Sequence, residues 1–230
     1  MPLIPAEELP HGVLAVLRTR DSWPVETGRR FPAATRPLET AESVLAGRRA
    51  VRLFTGEPVA ARDVAKIAEH ARRAERAVWP APAHGVIGYT ILVAAFRITG
   101  LAPGLYLVSE DSSEPFSALP TVPCLESLRT AYSDAAFLLL VCADIAAACQ
   151  HGAPGYGPLL IRAGTLGHGA WLGAISLGLA GCVYAGPHHL VTEAVRLLDG
   201  RSNHIFTTSL GWAHRPAASC AYGTPDEEAR

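Results

Sequence analysis

Lysine is nearly absent from this chain, and charge of either sign is scarce. Charged residues make up 18% of the 230 residues, the formal net charge is −1, and Lys66 is the only lysine. Nucleic acids and anionic membranes attract strongly basic surfaces, so we predict neither as a partner. Because almost all of the basic charge is arginine, a lysine-dependent mechanism has one candidate residue.

The sequence also lacks long apolar runs and paired cysteines. No apolar stretch reaches the roughly 20 residues of a membrane-spanning helix, and no basic-plus-apolar leader is visible near the N-terminus. The five cysteines are odd in number and contain no CxxC pair of the kind that binds metal. They are Cys124, Cys142, Cys149, Cys182 and Cys220. We therefore expect a cytoplasmic protein with reduced cysteines and no metal site.

The apolar residues that are present suffice for one ordered core. They make up 49% of the chain, and a chain of this length fits one domain. Residues 1–40 are rich in proline and arginine and are predicted to form an N-terminal arm that packs on the body or on a second subunit. Residues 41–215 would form the folded domain, and residues 216–230 a loose polar tail.

The pattern of apolar residues predicts alternating helices and strands. The predicted helices cover residues 39–47, 61–77, 158–179 and 190–198. The predicted strands cover residues 89–98, 105–108, 137–143, 181–184 and 204–211. A stiff loop with two prolines is expected at 78–84, and a polar loop at 109–123. The unbroken apolar run 137–143 is typical of a central strand.

The most informative motif is the arginine segment Arg48-Arg49-Ala50-Val51-Arg52-Leu53-Phe54, which is followed by Pro58. A guanidinium group binds phosphate in two-point geometry. A tight corner between two predicted helices could add backbone N–H groups around the anion. A solvated, salt-bridged helix end is the alternative for an arbitrary run of this kind, and the rest of the chain favours the anion site.

The helix predicted at 158–179 carries small residues at helical spacing. They are Ala163, Gly164, Gly167, Gly169, Gly173 and Ala174. Each glycine in a helix interior costs up to about 1 kcal/mol relative to alanine, so their density needs a cause. Burial alone accounts for some of them. We predict a core helix that packs at a subunit interface or against a planar ring.

The order of these elements resembles the FMN-dependent nitroreductase superfamily. The arginine segment with Pro58 is similar to the family's RRSxRxF…P opening, and the stretch from Ala163 to Cys182 to its small-residue helix. Weaker similarities lie at Pro80 to Gly85, at Gly186, in the turn 197–200 and in Ser209-Leu210-Gly211. The resemblance covers about residues 40 to 213. It implies an α+β, nitroreductase-like fold with a mostly antiparallel central sheet flanked by helices, FMN as cofactor, and a homodimer.

A narrower resemblance is to SagB-type azoline dehydrogenases, which oxidise thiazoline or oxazoline rings in peptide natural products. It is carried by the hairpin Gly100-Leu101-Ala102-Pro103-Gly104-Leu105-Tyr106 and by the loop 150–160. The family's catalytic Lys-Tyr pair falls on Gln150 and His151, and its acidic residue and following histidine fall on Arg162 and Thr165. The resemblance therefore implies the fold and the flavin, but not the usual catalytic pair.

Three residues are candidates for the catalytic acid or base. A histidine can remove a carbon-bound proton at neutral pH, so we predict that His151 replaces the family's tyrosine, with Tyr156 or His84 nearby. A solvated loop histidine is an equally good interpretation of His151.

The resemblance also implies the flavin contacts. The arginines would meet phosphate and ribityl oxygens, Ala50 would offer only its backbone, and Gly186 would let the chain approach the ring system. The implied FMN-binding residues are Arg48, Arg49, Ala50, Arg52, Pro82, Ala83, His168, Gly186 and Arg215. The alternatives are a hydrogen-bonded core histidine for His168 and a solvated tail arginine for Arg215. His188 and His189 are expected to open a helix, since no further ligands stand at zinc spacing.

Three functions are compatible with these observations. The first is FMN-dependent oxidation of a peptide-like or small-molecule azoline intermediate in natural-product biosynthesis, with a possible partner enzyme. The second is NAD(P)H-dependent reduction of nitro compounds or quinones. The third is a catalytically inactive scaffold of a biosynthetic complex. The Gly100–Tyr106 hairpin favours the first function, whereas the missing Lys-Tyr pair and Ala50 favour the third.

Overall fold

The computed structural model describes residue 45 and residues 48–110, 113–119, 125–149 and 155–213. Its strands are β1 (Val59–Ala60), β2 (Tyr89–Ala95), β3 (Ile98–Thr99), β4 (Gly104–Val108), β5 (Phe116–Ala118), β6 (Phe137–Ala143), β7 (Ala180–Tyr184) and β8 (Asn203–Gly211). Its helices are α1 (Ala61–Val78), α2 (Ala81–His84), α3 (Leu125–Ala131), α4 (Ile145–Cys149), α5 (Tyr156–Ser176) and α6 (His189–Asp199).

A six-stranded antiparallel sheet forms the centre of the fold. Its strand order is β5-β4-β2-β6-β8-β7, and β1 and β3 form a separate parallel pair. Strand β6 lies between β2 and β8, with Phe137 opposite both Ala95 and Leu210. All seven residues of β6 are buried, which confirms the prediction of a central strand from the unbroken apolar run.

Helices cover both faces of this sheet, so the predicted α+β fold is confirmed. Alternate residues of β6 belong to two different apolar clusters, as the two-residue period of a strand requires. Phe137 and Leu139 pack with α1 and α5, where Ile67 and Leu166 are buried. Leu138 and Leu140 belong to the cluster that contains Leu128 of α3 and Val191 of α6.

Several predicted boundaries were wrong. The expected loop 78–84 contains the end of α1 and the short helix α2, because Pro82 lies in its first turn, where the fixed φ of proline suits a helix and no N–H is needed. The expected loop 109–123 contains β5, which pairs with β4. Ile98 leaves β2 and pairs with Val59 of β1 instead. The long helix spans Tyr156–Ser176 rather than 158–179.

Some predictions fall outside the described residues. These are the N-terminal arm, the polar tail and the helix 39–47, of which only Leu45 is described, in helical conformation. Within the described part of the chain, no helix combines the length and apolar character needed to cross a membrane. The described buried cysteines, Cys142 and Cys182, form no disulfide.

Candidate functional site

The arginine segment is extended along the outer edge of the sheet, not folded into a helix-flanked corner. Ala50 forms a parallel bridge with Gly181 of β7, and Phe54 an antiparallel bridge with Ala213. The Val51 N–H donates to the carbonyl of Gly181 at 2.9 Å. This N–H is therefore engaged by the sheet edge and is not available to bind an anion.

Arg48 points towards helix α5. Its Nη1 lies 3.1 Å from Nδ1 of His168, and its guanidinium carbon 5.2 Å from the centroid of the Trp171 ring. Burial, followed by the positive charge of Arg48, lowers the pKa of His168. A neutral His168 can accept a hydrogen bond from Arg48. His168 is thus hydrogen-bonded but only partly buried, and its predicted contact with FMN stays a prediction.

Arg52, four residues further along the segment, points towards strand β7. Its guanidinium carbon lies 5.8 Å from the Tyr184 ring centroid, and the thiol of Cys182 is within hydrogen-bonding reach. The Arg49 guanidinium is exposed and donates to the carbonyl of Arg48 at 2.7 Å. The segment thus directs Arg48 and Arg52 to different neighbours along one sheet edge, and Ala50 between them is exposed.

Gly186 lies in the loop between β7 and α6, which accepts a hydrogen bond from the partly buried Tyr132 and donates one to the buried His204. The Tyr132 hydroxyl donates to the Gly186 carbonyl at 2.8 Å, and the His188 N–H donates to Nδ1 of His204 at 2.8 Å. Burial is the main cause that lowers the pKa of His204 to about 4. His204 is therefore neutral at neutral pH and free to accept this bond. Tyr132 also contacts the Tyr184 ring, so this loop and Arg52 share neighbours.

His188 caps α6, as expected for the residues that open this helix. Its Nε2 lies 3.3 Å from the Ser127 hydroxyl. Its Nδ1 is buried without a hydrogen-bond partner among the described residues. Since a buried polar atom without a partner costs free energy, this nitrogen is a place where a ligand could supply the missing contact.

Helix α2 carries three of the predicted site residues, Pro82, Ala83 and His84, and all three are exposed. The His84 ring packs edge-on against Trp79 at 5.1 Å. The Trp79 indole N–H donates to the Thr165 hydroxyl at 3.3 Å, one helical turn before His168. Helix α5 therefore brings the α2 residues and Arg48 to neighbouring turns of one helix.

A buried ion pair fixes the position of α2. Arg162 of α5 is only 4% exposed; its Nε donates to Oε1 of Glu75 at 2.6 Å, and its Nη1 lies 3.2 Å from the Gly85 carbonyl. The sequence comparison placed Arg162 where the resembled family has an acidic residue. In this chain the carboxylate beside position 162 belongs to Glu75 of α1.

The described part of the chain does not show a shared site for the remaining catalytic candidates. Tyr156 opens α5 with its side chain 47% exposed. His151 and Arg215 lie outside the described residues, so their predicted roles stay predictions. Sequence reasoning missed Tyr132, His204 and Glu75, since single tyrosines, histidines and glutamates without a motif give no sequence signal.

Most of the small residues of α5 are explained by packing within the chain. A Cβ at Gly169 would lie 2.9 Å from the Cβ of Ala74, and one at Gly173 would lie 3.2 Å from the His70 ring. A Cβ at Gly167 would meet the Phe206 ring at 2.1 Å. Only Gly164 of these four glycines has open space around it, so it alone is left to face a second subunit or a ring.

No protein-family model and no curated protein matches this sequence. Solved structures do match its fold. A proposed nitroreductase from Anabaena variabilis ATCC 29413 has a TM-score of 0.60 at 19% identity, over 75% of this chain. This chain spans only 38% of the length of that protein. A proposed nitroreductase from Ralstonia eutropha JMP134 has a TM-score of 0.56 at 19% identity, over 81% of this chain and 89% of that one.

A third similar structure is a microcin synthetase of Escherichia coli. It is the McbBCD complex with truncated pro-MccB17 bound, and it matches with a TM-score of 0.58 at 15% identity, over 93% of this chain and 85% of that one. At these identities the similarity establishes the fold alone. Together with the antiparallel six-stranded sheet and its flanking helices, it shows that this chain has the nitroreductase-like fold.

Proposed function

We propose that this chain is an FMN-dependent oxidoreductase that oxidises an azoline ring in a peptide-like intermediate. The observation that carries the proposal is the arginine segment, which runs along β7 and directs Arg48 towards His168 and Arg52 towards the strand that leads to Gly186. On a nitroreductase-like fold, this arrangement offers two guanidinium groups along one sheet edge, and Arg52 shares its neighbour Tyr184 with the loop of Gly186, which a flat ligand can approach.

The residues present fit a phosphate-bearing flavin. Arg48 and Arg52 carry fixed positive charge, and guanidinium donors form the strong, charge-assisted hydrogen bonds that phosphate prefers. Gly186 has open space where a Cβ would stand, and the unpartnered Nδ1 of His188 lies two residues further on. When bound, FMN supplies the two-electron acceptor, and the protein's part is to orient the reactants.

The protein must also accept the proton that such an oxidation releases from carbon. His151 remains our proposal for this base, with Tyr156 or His84 as alternatives. His84 is exposed and packs on Trp79, so it can meet a substrate that approaches α2. A His151→Ala variant that binds FMN and keeps full turnover would remove His151 from the mechanism.

The azoline substrate class rests on the Gly100–Tyr106 hairpin and on one structural neighbour. The hairpin joins β3 to β4, and the Tyr106 hydroxyl donates to the Ala102 carbonyl at 2.8 Å within it. The McbBCD complex shares the fold and is a synthetase with truncated pro-MccB17 bound. By analogy we propose a peptide-like substrate and a biosynthetic partner enzyme for this chain as well.

An inactive scaffold is the second candidate function. It is favoured by Arg162, whose charge is held in a buried pair with Glu75 and so offers no acid or base at the place of the family's acidic residue. A scaffold would keep the fold and the partner but lose the flavin.

The visible absorption spectrum of the purified chain, followed by FMN titration, tests the proposal. We expect yellow protein that binds about one FMN per chain. Arg48→Gln and Arg52→Gln each remove charge-assisted hydrogen bonds to phosphate, so we expect roughly 30-fold weaker FMN binding for each variant.

Arg62→Gln is the matched control, because Arg62 is an 81% exposed arginine of α1 outside the site. It should leave FMN affinity unchanged. A colourless wild-type chain that takes up no FMN contradicts the flavoenzyme and supports the scaffold. If FMN binds, NADH oxidation with a nitroarene or quinone, without azoline oxidation, would identify a reductase instead.

A further inference from the structure

A cavity of about 270 Å³ lies beside helix α2, and its lining includes none of the described residues assigned to FMN. Its walls come from the last turns of α1, from the chain between α2 and β2, and from α5. Pockets for drug-sized ligands are typically 300–1,000 Å³, so this volume suits a single ring with a small substituent rather than a three-ring flavin.

Part of the cavity wall is formed by apolar and aromatic side chains. Ile91 and Leu166 are buried there, and the Trp79 side chain forms another part of the lining. The hydrogen bond from the Trp79 indole N–H to the Thr165 hydroxyl fixes the orientation of this ring system. Aromatic rings pack favourably on such a face, edge-on or offset.

The polar part of the lining carries more positive than negative charge. Among the described residues, the lining has three arginines, Arg72, Arg76 and Arg162, and two glutamates, Glu75 and Glu110. Arg162 and Glu75 form the buried pair described above. Glu110 forms ion pairs with both other arginines, because its Oε1 lies 2.5 Å from Nη2 of Arg76 and 3.9 Å from Nε of Arg72.

Arg72 carries the excess charge in a fixed position. Its side chain is 14% exposed, and its Nη atoms donate to the backbone carbonyls of Val108 and Ser109 at 2.6 and 3.0 Å. Carbonyl dipoles hold the guanidinium in place but do not neutralise it. A cation held at the edge of an apolar cavity gains most from an anion, because the low-dielectric surroundings strengthen the attraction.

We infer that this cavity is a binding site for a small aromatic or heteroaromatic monocarboxylate, with the ring against Trp79 and the carboxylate at Arg72. A cationic ligand is disfavoured by the excess of arginine. The same chemistry is offered by a free aromatic acid and by an aromatic residue with a free carboxylate at a peptide C-terminus. The site does not depend on the flavin, so the proposed function can fail without affecting it.

Binding of benzoate, benzamide and benzylamine to the full chain tests this inference by ligand-observed NMR and calorimetry. We expect benzoate to bind at least about 10-fold more tightly than neutral benzamide, and benzylammonium to bind most weakly. N-acetyl-phenylalanine and its C-terminal amide test whether the ligand can be the C-terminal residue of a peptide. If the acid binds and the amide does not, the cavity also accepts an aromatic residue with a free C-terminal carboxylate. Equal affinity for benzoate and benzamide, or no binding of either, overturns the inference.

Substitutions inside and outside the cavity lining test where benzoate binds. Ala81 is exposed and lines the cavity, so Ala81→Trp should fill its mouth and abolish benzoate binding without disturbing the core. Ala118→Trp is the matched control on an exposed residue of the edge strand β5 outside the lining, and it should bind benzoate as the wild type does. Arg72→Gln should lower benzoate affinity at least 10-fold but leave benzamide affinity unchanged.

Competition with FMN distinguishes this site from the arginine segment. Benzoate affinity should be the same with and without saturating FMN. If FMN displaces benzoate, or if Ala81→Trp binds benzoate with wild-type affinity, the anion binds elsewhere and the assignment of the cavity is wrong.

Discussion

A neutral histidine, His204 at the start of β8, holds the loop that carries Gly186. It is 2% exposed and accepts the His188 N–H through Nδ1, which leaves Nε2 to donate to the Phe206 carbonyl at 3.1 Å. Protonation of Nδ1 would abolish the first bond and bury a charge beside His188. The loop therefore depends on His204 staying neutral.

We predict that this residue makes stability fall in mild acid. In the folded chain the pKa of His204 is lowered to about 4, whereas in the unfolded chain it is about 6.5. Between these values the unfolded chain binds more protons, so the free energy of unfolding decreases as the pH falls from 6.5 to 4, by about 3 kcal/mol in total. Above pH 7 it should be constant. Urea denaturation at several pH values measures it.

His204→Gln keeps a hydrogen-bond acceptor but cannot titrate. The difference in unfolding free energy between wild type and this variant should shrink, or change sign, as the pH is lowered through the same window. Other buried histidines, such as His168, contribute equally to both proteins and cancel in the difference. Parallel curves for the two proteins would show that His204 is not the titrating group.

The buried pair of Arg162 and Glu75 gives a second prediction for single residues. Arg162→Met leaves the Glu75 carboxylate buried and without its partner, which should cost about 3–5 kcal/mol of stability. Combined Glu75→Leu and Arg162→Met should cost much less, because no charge is then left alone. Chemical denaturation of the two single variants and the double variant measures the coupling.

An exposed pair that also includes a residue of α1 serves as the control. Arg76 bonds Glu110, but the two side chains are 62% and 69% exposed, so Arg76→Met should cost at most about 1 kcal/mol. If Arg162→Met costs no more than Arg76→Met, the buried pair does not hold α2 in place.

Among the helices and strands, α5 shows that glycines at helical spacing can have different causes. Gly169 packs against α1, where an added Cβ would lie 3.2 Å from the Cα of Ala71, a backbone atom that cannot move aside. We predict that Gly169→Ala destabilises the chain by about 1–3 kcal/mol. Gly164→Ala should stabilise the isolated chain by up to about 1 kcal/mol, because its Cβ meets no atom and alanine favours the helix. Thermal unfolding of both variants compares them.

The two substitutions also separate stability from function. If Gly164 faces a flavin or a second subunit, Gly164→Ala should weaken FMN binding or dimer formation despite its gain in stability. Unchanged FMN affinity and oligomeric state for this variant would leave Gly164 as an ordinary surface glycine. Destabilisation of similar size by both variants would contradict the packing argument.

The sequence predicted well those elements that are completely buried, because complete burial appears as a continuous run of apolar residues. Strand β6 was found at its observed bounds, since a strand covered on both faces is a continuous apolar run. Strand β5 was missed because Ser117 and Ala118 are exposed on an edge and form no apolar run. The two prolines at 80 and 82 predict a loop where α2 forms. Proline also suits the start of a helix, so its presence does not distinguish the two.

The candidate site was predictable only where a motif marks it. The arginines at 48 and 52 could be named from the sequence, but their extended path along β7 depends on pairing with Gly181, a residue more than 120 positions away. Tyr132 and His204 meet the Gly186 loop through tertiary contacts that leave no trace in local spacing. Sequence reasoning thus finds residues with a chemical motif, but not the buried residues that position them.

For the whole molecule, exposed apolar side chains point to a surface that a second subunit would cover. Tyr156, Leu160 and Ile161 are exposed on the first half of α5, and Val78 is exposed at the end of α1, next to Trp79, which bonds to α5. Large exposed apolar groups that lie together typically mark an interface. We therefore propose that the homodimer forms through this face.

The last prediction tests this interface. Ile161 is 59% exposed, so Ile161→Glu should leave the folded subunit intact but place a charge in the proposed contact, where it would be desolvated without a partner. We expect a monomer in light scattering after size exclusion, and weaker FMN binding if both subunits build the site. Leu197→Glu, at a 67% exposed leucine of α6, is the control and should remain dimeric. A dimeric Ile161→Glu variant, or a wild-type monomer, would mean that these apolar side chains face another partner or solvent.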